Sequence, residues 1–162
     1  MSISNSVGID GPPMDSPLHE TVVTEFAHGW AAPHPHAWDD LLDENVVLRQ
    51  PLLVDGRGRA VWQRELARLL TFLPDLRGQV VSWAGRGDVV FIDITCTGTA
   101  GRRPLSFRAV DRLTINAEGK VLERDSFFDP MPLAATLARR PAAWIAWWRS
   151  GVGPLLVRRK LL

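Results

Sequence analysis

A single carboxylate on an otherwise apolar strand face is the feature of this chain that most directly indicates chemistry. Residues 103–115 alternate with a period of two, as a β-strand does when one of its faces is buried. The face that contains Asp111 is otherwise apolar and consists of Leu105, Phe107, Ala109, Leu113 and Ile115. Burying an unpaired carboxylate is costly, so such a group is paired with a cation, protonated or retained for a function such as catalysis. We therefore predict that Asp111 is a catalytic acid or base in an apolar cleft. The alternative is a structural acid paired with a neighbouring arginine.

The elements that would position Asp111 are predicted from hydrophobic periodicity and from helix-breaking residues. Leu18, Val22, Phe26 and Trp30 recur every four residues and predict a helix over 17–31. Further helices are predicted at about 36–43 and 58–73, and strands at 46–50, 78–85, 88–98, 103–115 and 120–128. Helices placed ahead of a run of strands favour an α+β fold with one antiparallel sheet. Helices packed on one face of a curved sheet would leave a concave apolar pocket.

The bulk composition is that of a soluble globular protein. The chain has 162 residues, 46% hydrophobic and 23% charged, which indicates a single domain with a real core. The net charge of +1 gives no general case for nucleic-acid binding. Cys96 is the only cysteine, and neither residues 1–15 nor the apolar run 142–148 resembles a signal peptide or a membrane span, so we expect a cytoplasmic protein. No glycine-rich phosphate loop, dinucleotide fingerprint or convincing metal-ligand set is visible, and we predict neither a cofactor nor a metal.

The two ends of the chain differ in composition from the rest. Residues 1–15 are rich in Ser, Gly and Pro and are predicted to be a disordered tail. Residues 131–162 contain three tryptophans, six basic residues and no acidic residue, and are predicted to be a basic, Trp-rich helical extension. This extension could touch a membrane surface or a partner. The alternative, which we favour, is a helix that covers the open end of the pocket or the sheet.

Five short motifs resemble the SnoaL-like and ketosteroid-isomerase-like branch of the nuclear-transport-factor-2-like fold. They lie at 43–46, 56–58, 109–113, 118–121 and 127–130. The resemblance covers about 17–130 and implies a domain at 16–130. It implies a cone-shaped α+β barrel in which three N-terminal helices pack on a curved, mostly antiparallel sheet. It also implies a homodimer, the commonest symmetric assembly.

The resemblance assigns a role to Asp111 but leaves the reaction open. Asp111 matches the carboxylic acid in the oxyanion hole of ketosteroid isomerases, where that acid is kept neutral to donate a hydrogen bond. The isomerase base would fall at Arg49 or Gln50, and its partner tyrosine is missing because the chain has no Tyr. The Asp–Arg–Asp set of limonene-epoxide hydrolases would fall near Ile94, Cys96 and Ser126, none of which matches. SnoaL-like polyketide cyclases use a pocket aspartate as their acid or base.

The alignment with this family also places other side chains around Asp111. Arg124, Ser126 and Phe128 would face the pocket. A pairing of Arg124 with Asp111 would favour a carboxylate base over a neutral donor, or would be a structural salt bridge. Arg49 could bind an anionic or enolate oxygen, although a solvent-facing arginine fits the alternation equally well. The aromatic residues expected to enclose the substrate are Trp30, Trp62, Phe107 and Phe128.

Two main hypotheses of function follow. The first is a cofactor-independent cyclase, isomerase or lyase that acts on a hydrophobic small molecule, with Asp111 and Arg124 as catalytic residues. The second is a non-catalytic module of the same fold that binds a small apolar ligand or mediates dimerisation. A third, weaker hypothesis is a peripheral membrane protein that uses its basic, Trp-rich end.

Overall fold

The chain folds as helices packed against one curved sheet, in nearly the order that the sequence predicts; the predicted helix at about 36–43 is the element that is absent. A computed structural model describes residues 16–51, 55–129, 131–139 and 141–151. Its helices are α1 (Pro17–Ala31), α2 (Arg59–Phe72), α3 (Met131–Arg139) and α4 (Pro141–Ser150). Its strands are β1 (Leu42–Arg49), β2 (Gly56–Arg57), β3 (Arg77–Arg86), β4 (Val89–Ala100), β5 (Arg103–Ile115) and β6 (Val121–Phe128). The α+β class is confirmed, and the bounds of α1 and β5 agree with those predicted.

The six strands form one sheet in the order β2-β1-β6-β5-β4-β3. All neighbouring strands are antiparallel except β1 and β6, which are parallel. The sheet is curved, but β2 and β3 remain at its two edges, so it does not close into the barrel that the resemblance implied. Closure would require the edge strands to hydrogen-bond to each other. Instead, α1 packs against β3 and α2 packs against β1. The helices therefore cover the concave side of an open sheet.

The predicted helix over 36–43 is replaced by turns and by the start of β1. Residues 35–41 form consecutive turns, and Leu42 already pairs with Val121 of β6. The amide of Val121 also donates a hydrogen bond to the carbonyl of Leu41 at 2.9 Å. This pairing draws the chain into the sheet and leaves too few residues for a stable helix. The apolar side chains of this segment, Trp38, Leu41 and Leu42, are all buried.

Three tryptophans form the centre of the helix layer beneath the sheet. Trp30, Trp38 and Trp62 meet edge to face, with ring centroids 5.2, 5.4 and 6.5 Å apart. Such pairs stabilise a core beyond the apolar area that they bury. Trp38 is fixed further because its indole N–H donates to the carbonyl of Phe26 at 3.3 Å. This cluster forms a rigid support for the side chains that face it from the sheet.

Replacing Gly29 with alanine is expected to destabilise the protein, although alanine is the better helix former. A Cβ at Gly29 would overlap the indole of Trp38, whose Cζ2 atom would be only 2.7 Å away. Trp38 is buried and cannot move aside cheaply. Overpacking costs about 1–3 kcal/mol, which exceeds the gain of about 1 kcal/mol in helix propensity. Urea unfolding measures the change. In the Trp38→Phe background the penalty should shrink, and a higher midpoint for Gly29→Ala alone would contradict this account of the packing.

The C-terminal helices extend the helix layer along α2. Helix α4 packs on α2, and the ring centroid of Trp147 lies 5.1 Å from that of Phe72 in an edge-to-face contact. The opposite side of α4 exposes Ile145, Trp144 and Trp148. The predicted tail at 1–15 and the last part of the extension, 152–162, lie outside the described residues. Within the described ranges, no helix has the length and apolar character needed to cross a membrane.

Candidate active site

A pocket lies between the concave face of the sheet and the helices α1, α2 and α4. Its volume is about 60 Å³, measured as the space open to the centre of a water molecule. One water molecule needs about 10–15 Å³ of such space. The pocket is therefore several water molecules in size and has room for a small ligand. The lining residues are Trp30, Gln50, Trp62, Leu69, Phe72, Leu73, Leu76, Ile94, Cys96, Phe107, Ala109, Asp111, Arg124, Ser126, Phe128 and Trp147.

Asp111 and Arg124 are the two charged residues of this lining. Asp111 is fully buried on β5, and Arg124 is buried on the neighbouring strand β6. The guanidinium Nη2 atom of Arg124 donates to Oδ2 of Asp111 at 3.0 Å. The two side chains form a buried ion pair within an otherwise uncharged lining.

Arg124 is held in place by two further contacts. Its Nη1 atom donates to the amide oxygen of Gln50 at 3.1 Å. Its Cζ atom lies 4.6 Å from the ring centroid of Trp62, a cation–π arrangement. The cation is thus fixed between a carboxylate, an amide and an aromatic ring. A charge positioned in advance stabilises a developing negative charge without further reorganisation.

The second oxygen of Asp111 is buried and unpaired. Oδ1 has no hydrogen-bond partner among the described residues, in contrast to Oδ2. A carboxylate oxygen accepts hydrogen bonds through two lone pairs, and burying one that is unmet is costly. This atom is therefore the candidate proton acceptor of the site.

Most residues predicted for the site lie together around this ion pair. Trp30 and Trp62 line the pocket from the helix side, and Phe107, Ser126 and Phe128 line it from the sheet. The alternation along β6 explains the last two positions, since Asp125 and Phe127 point to the other side of the sheet. The pairing of Arg124 with Asp111 that the resemblance implied is present.

Arg49 is the exception, because it lies on the outer face of the sheet. Its side chain is 51% exposed, and its Nη1 atom bonds to Asp125 at 3.0 Å and to Glu123 at 3.4 Å. Successive side chains along β1 point to opposite faces of the sheet, so Leu48 and Gln50 point inward when Arg49 points outward. The prediction that Arg49 contacts the substrate is corrected on this ground, and Gln50 takes its place in the lining.

Several lining residues were not predicted for the site from the sequence. Gln50 was named only as an alternative to Arg49. The alternation of apolar residues, which puts Gln50 on the same face as Leu48, would have identified it. Trp147 reaches the pocket from α4, and its place depends on how that helix packs on α2. Asp93 lies on the outer face of the sheet, where its carboxylate pairs with Arg108.

Cys96 lines the pocket, but its surroundings do not activate its thiol as a nucleophile. Burial raises the pKa of its thiol to about 12, and the nearby carboxylate of Asp111 adds to the effect. The nucleophile in cysteine chemistry is the thiolate, which is populated only near or above the pKa. At neutral pH the side chain is therefore a neutral thiol that fills part of the pocket wall.

Alkylation of Cys96 by iodoacetamide at pH 8 is expected to be at least a hundredfold slower in the native protein than in urea. A thiol with a pKa of about 12 is roughly 10⁻⁴ ionised at that pH, whereas an unfolded cysteine with a pKa of about 8.5 is substantially ionised. Since Cys96 is the only cysteine, mass spectrometry of the intact chain gives the rate directly. Equal rates with and without urea would show that the thiol is neither buried nor perturbed.

Solved structures of similar fold come from several bacteria. A candidate SnoaL-like polyketide cyclase from Jannaschia sp. CCS1 is 18% identical with a TM-score of 0.68, covering 78% of this chain and 98% of that one. A ketosteroid-isomerase-like protein from Catenulispora acidiphila, solved with trimethylamine, is 18% identical with a TM-score of 0.66, covering 76% and 95%. IdmH of Streptomyces antibioticus, a candidate polyketide cyclase, is 17% identical with a TM-score of 0.65, covering 74% and 98%. At these identities the similarity establishes the ketosteroid-isomerase-like fold.

The sequence itself matches one family model. No protein among the curated sequences matches the chain. The model of the SnoaL-like domain matches residues 23–124, which include most of α1, all of the sheet up to the middle of β6, and both charged residues of the pocket. The chain therefore belongs to the SnoaL-like domain family.

Proposed function

We propose that this protein is a cofactor-independent acid–base enzyme, of the cyclase or isomerase type, that acts on a hydrophobic small molecule in the pocket. One observation carries the proposal: a fully buried carboxylate, Asp111, keeps one oxygen unpaired in a cavity whose other lining residues are almost all apolar. Buried titratable groups in clefts are frequently functional. The SnoaL-like family and the polyketide cyclases among its structural neighbours support the same class of reaction.

The proposed chemistry begins with proton abstraction next to a carbonyl group. Oδ1 of Asp111 takes the proton, the C–H bond breaks, and its electron pair moves to the carbonyl oxygen as an enolate. The guanidinium of Arg124 stabilises this negative charge. Return of the proton to a different atom gives an isomer. Attack of the enolate carbon on a second carbonyl instead closes a ring, and the alkoxide formed from that carbonyl takes the proton back from Asp111. Neither outcome changes the oxidation state of the substrate as a whole, so no redox partner is needed.

The arrangement of the ion pair also favours a second candidate function. Oδ2 of Asp111 is already bound by Arg124, and Arg124 is bound by Gln50, so the polar centre is partly satisfied by the protein itself. A non-catalytic module that binds a small ligand in the same pocket would retain this geometry without needing turnover.

Deuterium incorporation into 2-tetralone in D₂O, followed by proton NMR, separates the two functions. This ketone is apolar, carries acidic C–H bonds next to its carbonyl, and exchanges them through an enolate. An enzyme of the proposed type is expected to accelerate the exchange above the rate in buffer and above the rate with an equal concentration of serum albumin. Binding of 2-tetralone by calorimetry without faster exchange would reject catalysis and establish the binding module.

A further inference from the structure

Helix α4 carries large apolar side chains both on the side that packs and on the side that faces solvent. On its inner side, Trp147 lines the pocket and meets the ring of Phe72. On its outer side, Ile145 is 66% exposed, Trp148 is 82% exposed and Trp144 is half-exposed. A helix on the surface of a domain normally turns polar side chains to solvent. Packing within the described part of the chain therefore does not explain the outer side of α4.

The exposed side chains of α4 form one compact surface. Residues four apart are neighbours on a helix, so Trp144 lies next to Trp148 and Ile145 lies next to Arg149. We call these four residues the outer patch. A long arginine side chain can lay its methylene groups along apolar surface while its guanidinium stays in a polar layer. Tryptophan beside arginine is typical of side chains at the boundary between lipid and water.

The charge around the outer patch is of one sign. Residues 131–162 contain six basic residues and no acidic residue. In the structure, Arg139 at the end of α3 and Arg149 at the end of α4 are both exposed. On α2, against which α4 packs, the acidic residue Glu65 is buried and paired with Arg68 at 2.7 Å. Helices α3 and α4 therefore offer positive charge to an anionic surface and no acidic side chain that would repel it.

The size of the outer patch favours a lipid surface over a protein partner. A standard protein interface takes about 20–30 residues from each side, whereas the outer patch is one side of a ten-residue helix. The outer face of the sheet also exposes apolar residues, among them Phe91 and Phe127, but it carries paired charges of both signs such as Asp93 with Arg108. Binding at a lipid surface needs only a few inserted apolar side chains with basic residues beside them.

We propose that the outer patch of α4 docks on an anionic lipid surface. Trp144, Ile145 and Trp148 insert at the level of the headgroups, and Arg149 reaches the lipid phosphates. This inference goes beyond the proposed function and does not depend on it. Because Trp147 of the same helix lines the pocket, docking brings one wall of the pocket to a surface where apolar molecules accumulate. The attachment is peripheral and reversible, since only a few side chains enter the lipid.

Sedimentation of the full chain with lipid vesicles tests the proposal. Vesicles of phosphatidylcholine are compared with vesicles in which about a third of the lipid is phosphatidylglycerol. We expect the partition coefficient to be at least about tenfold higher on the anionic vesicles, because each basic residue near an anionic surface adds to binding. Raising the NaCl concentration from about 50 mM to about 500 mM should lower it by at least about tenfold. Equal binding to both kinds of vesicle, or no binding to the anionic ones, would overturn the proposal.

Variants show whether the outer patch makes the contact. The double variant Ile145→Gln with Trp148→Gln replaces exposed apolar side chains by polar ones of good helix propensity and should weaken binding by at least about tenfold. Arg149→Glu should weaken it by at least about threefold. Two controls should stay within about twofold of the unmodified chain, since neither changes the patch. Phe127→Gln alters an exposed aromatic residue on the outer face of the sheet, and Arg86→Glu makes the same change of net charge at the exposed end of β3. Unchanged binding in the double variant would place the contact elsewhere and overturn the proposal.

Two measurements without lipid identify the other possible occupants of the outer patch. Sedimentation velocity that shows a dimer of the unmodified chain and a monomer of the double variant would assign the patch to a second copy. A lower urea midpoint in the double variant, together with no vesicle binding by the unmodified chain, would assign the patch to the segment 152–162 of the same chain. Either result would overturn the proposal. A monomeric double variant with an unchanged midpoint and weakened vesicle binding, beside an unmodified chain that is also monomeric without lipid, would uphold it.

Discussion

Replacing Asp111 with asparagine is expected to lower the catalysed rate of deuterium incorporation into 2-tetralone by about 10²–10⁴-fold, the usual contribution of a positioned general base. An amide cannot take the proton that Oδ1 of the carboxylate would remove. The amide oxygen can still accept the hydrogen bond that Arg124 now donates at 3.0 Å, so the variant preserves most of the local geometry. The rate measured by NMR, with bound ketone quantified by calorimetry, separates lost chemistry from lost binding.

Asp93→Asn provides the matched control for this variant. Asp93 lies on the adjacent strand β4 and also pairs with an arginine, Arg108, but on the outer face of the sheet. Its replacement should leave the exchange rate unchanged. Unchanged exchange in Asp111→Asn, with the fold verified by circular dichroism, would remove Asp111 from the reaction. The carboxylate would then be structural, as the non-catalytic alternative requires.

Replacing Arg124 with methionine is expected to lower the free energy of unfolding by about 3–5 kcal/mol, the typical cost of removing one member of a buried ion pair. Asp111 is fully buried, and Arg124 is 5% exposed, so water cannot replace the lost partner without opening the pocket. The amide oxygen of Gln50 would lose its partner as well. Urea denaturation followed by tryptophan fluorescence measures the loss, and a change below about 1 kcal/mol would show that the pair is effectively solvated.

Two further variants identify the source of that loss. Arg108→Met removes the partner of Asp93 at an exposed position on the outer face and should change stability little, because water screens such pairs. The double variant Asp111→Asn with Arg124→Met no longer buries an unpaired charge. Its stability should therefore recover much of the loss seen in Arg124→Met. A double variant as unstable as the sum of its single changes would indicate that packing, and not charge, holds the site together.

The sequence predicted the regular elements well where one strong pattern ran unbroken between clear stop signals. The alternation over 103–115 gave both ends of β5, because Gly101 and the turn at 116–119 terminate it. The four-residue recurrence from Leu18 to Trp30, with Ser16 as its cap, gave both ends of α1. Local pattern was misleading at 36–43, where pairing of Leu42 with Val121 brings the chain into the sheet before a helix can form.

The centre of the candidate site was also visible in the sequence, but only as separate residues. Strand alternation singled out Asp111, and alignment with the family added Arg124. Their contact depends on the register of β5 and β6, in which Asp111 lies opposite Ser126 and Leu113 lies opposite Arg124. Whether Arg49 or Gln50 faces the pocket depends on which side chains of β1 point inward, and the pairing of β1 with β6 fixes this.

What the sequence determined by itself is the identity of most of the elements and the presence of one acid on an apolar face, because these follow from periodicity within single segments. What only the tertiary structure decided is which side chains share the cavity and which of their polar atoms stay unpaired. Arg124 contacts Trp62, and Trp147 of α4 lines the same pocket, although these residues lie far apart in the chain. Hydrogen-bond satisfaction is a property of such assembled contacts, so no single segment could have revealed that Oδ1 of Asp111 has no partner among the described residues.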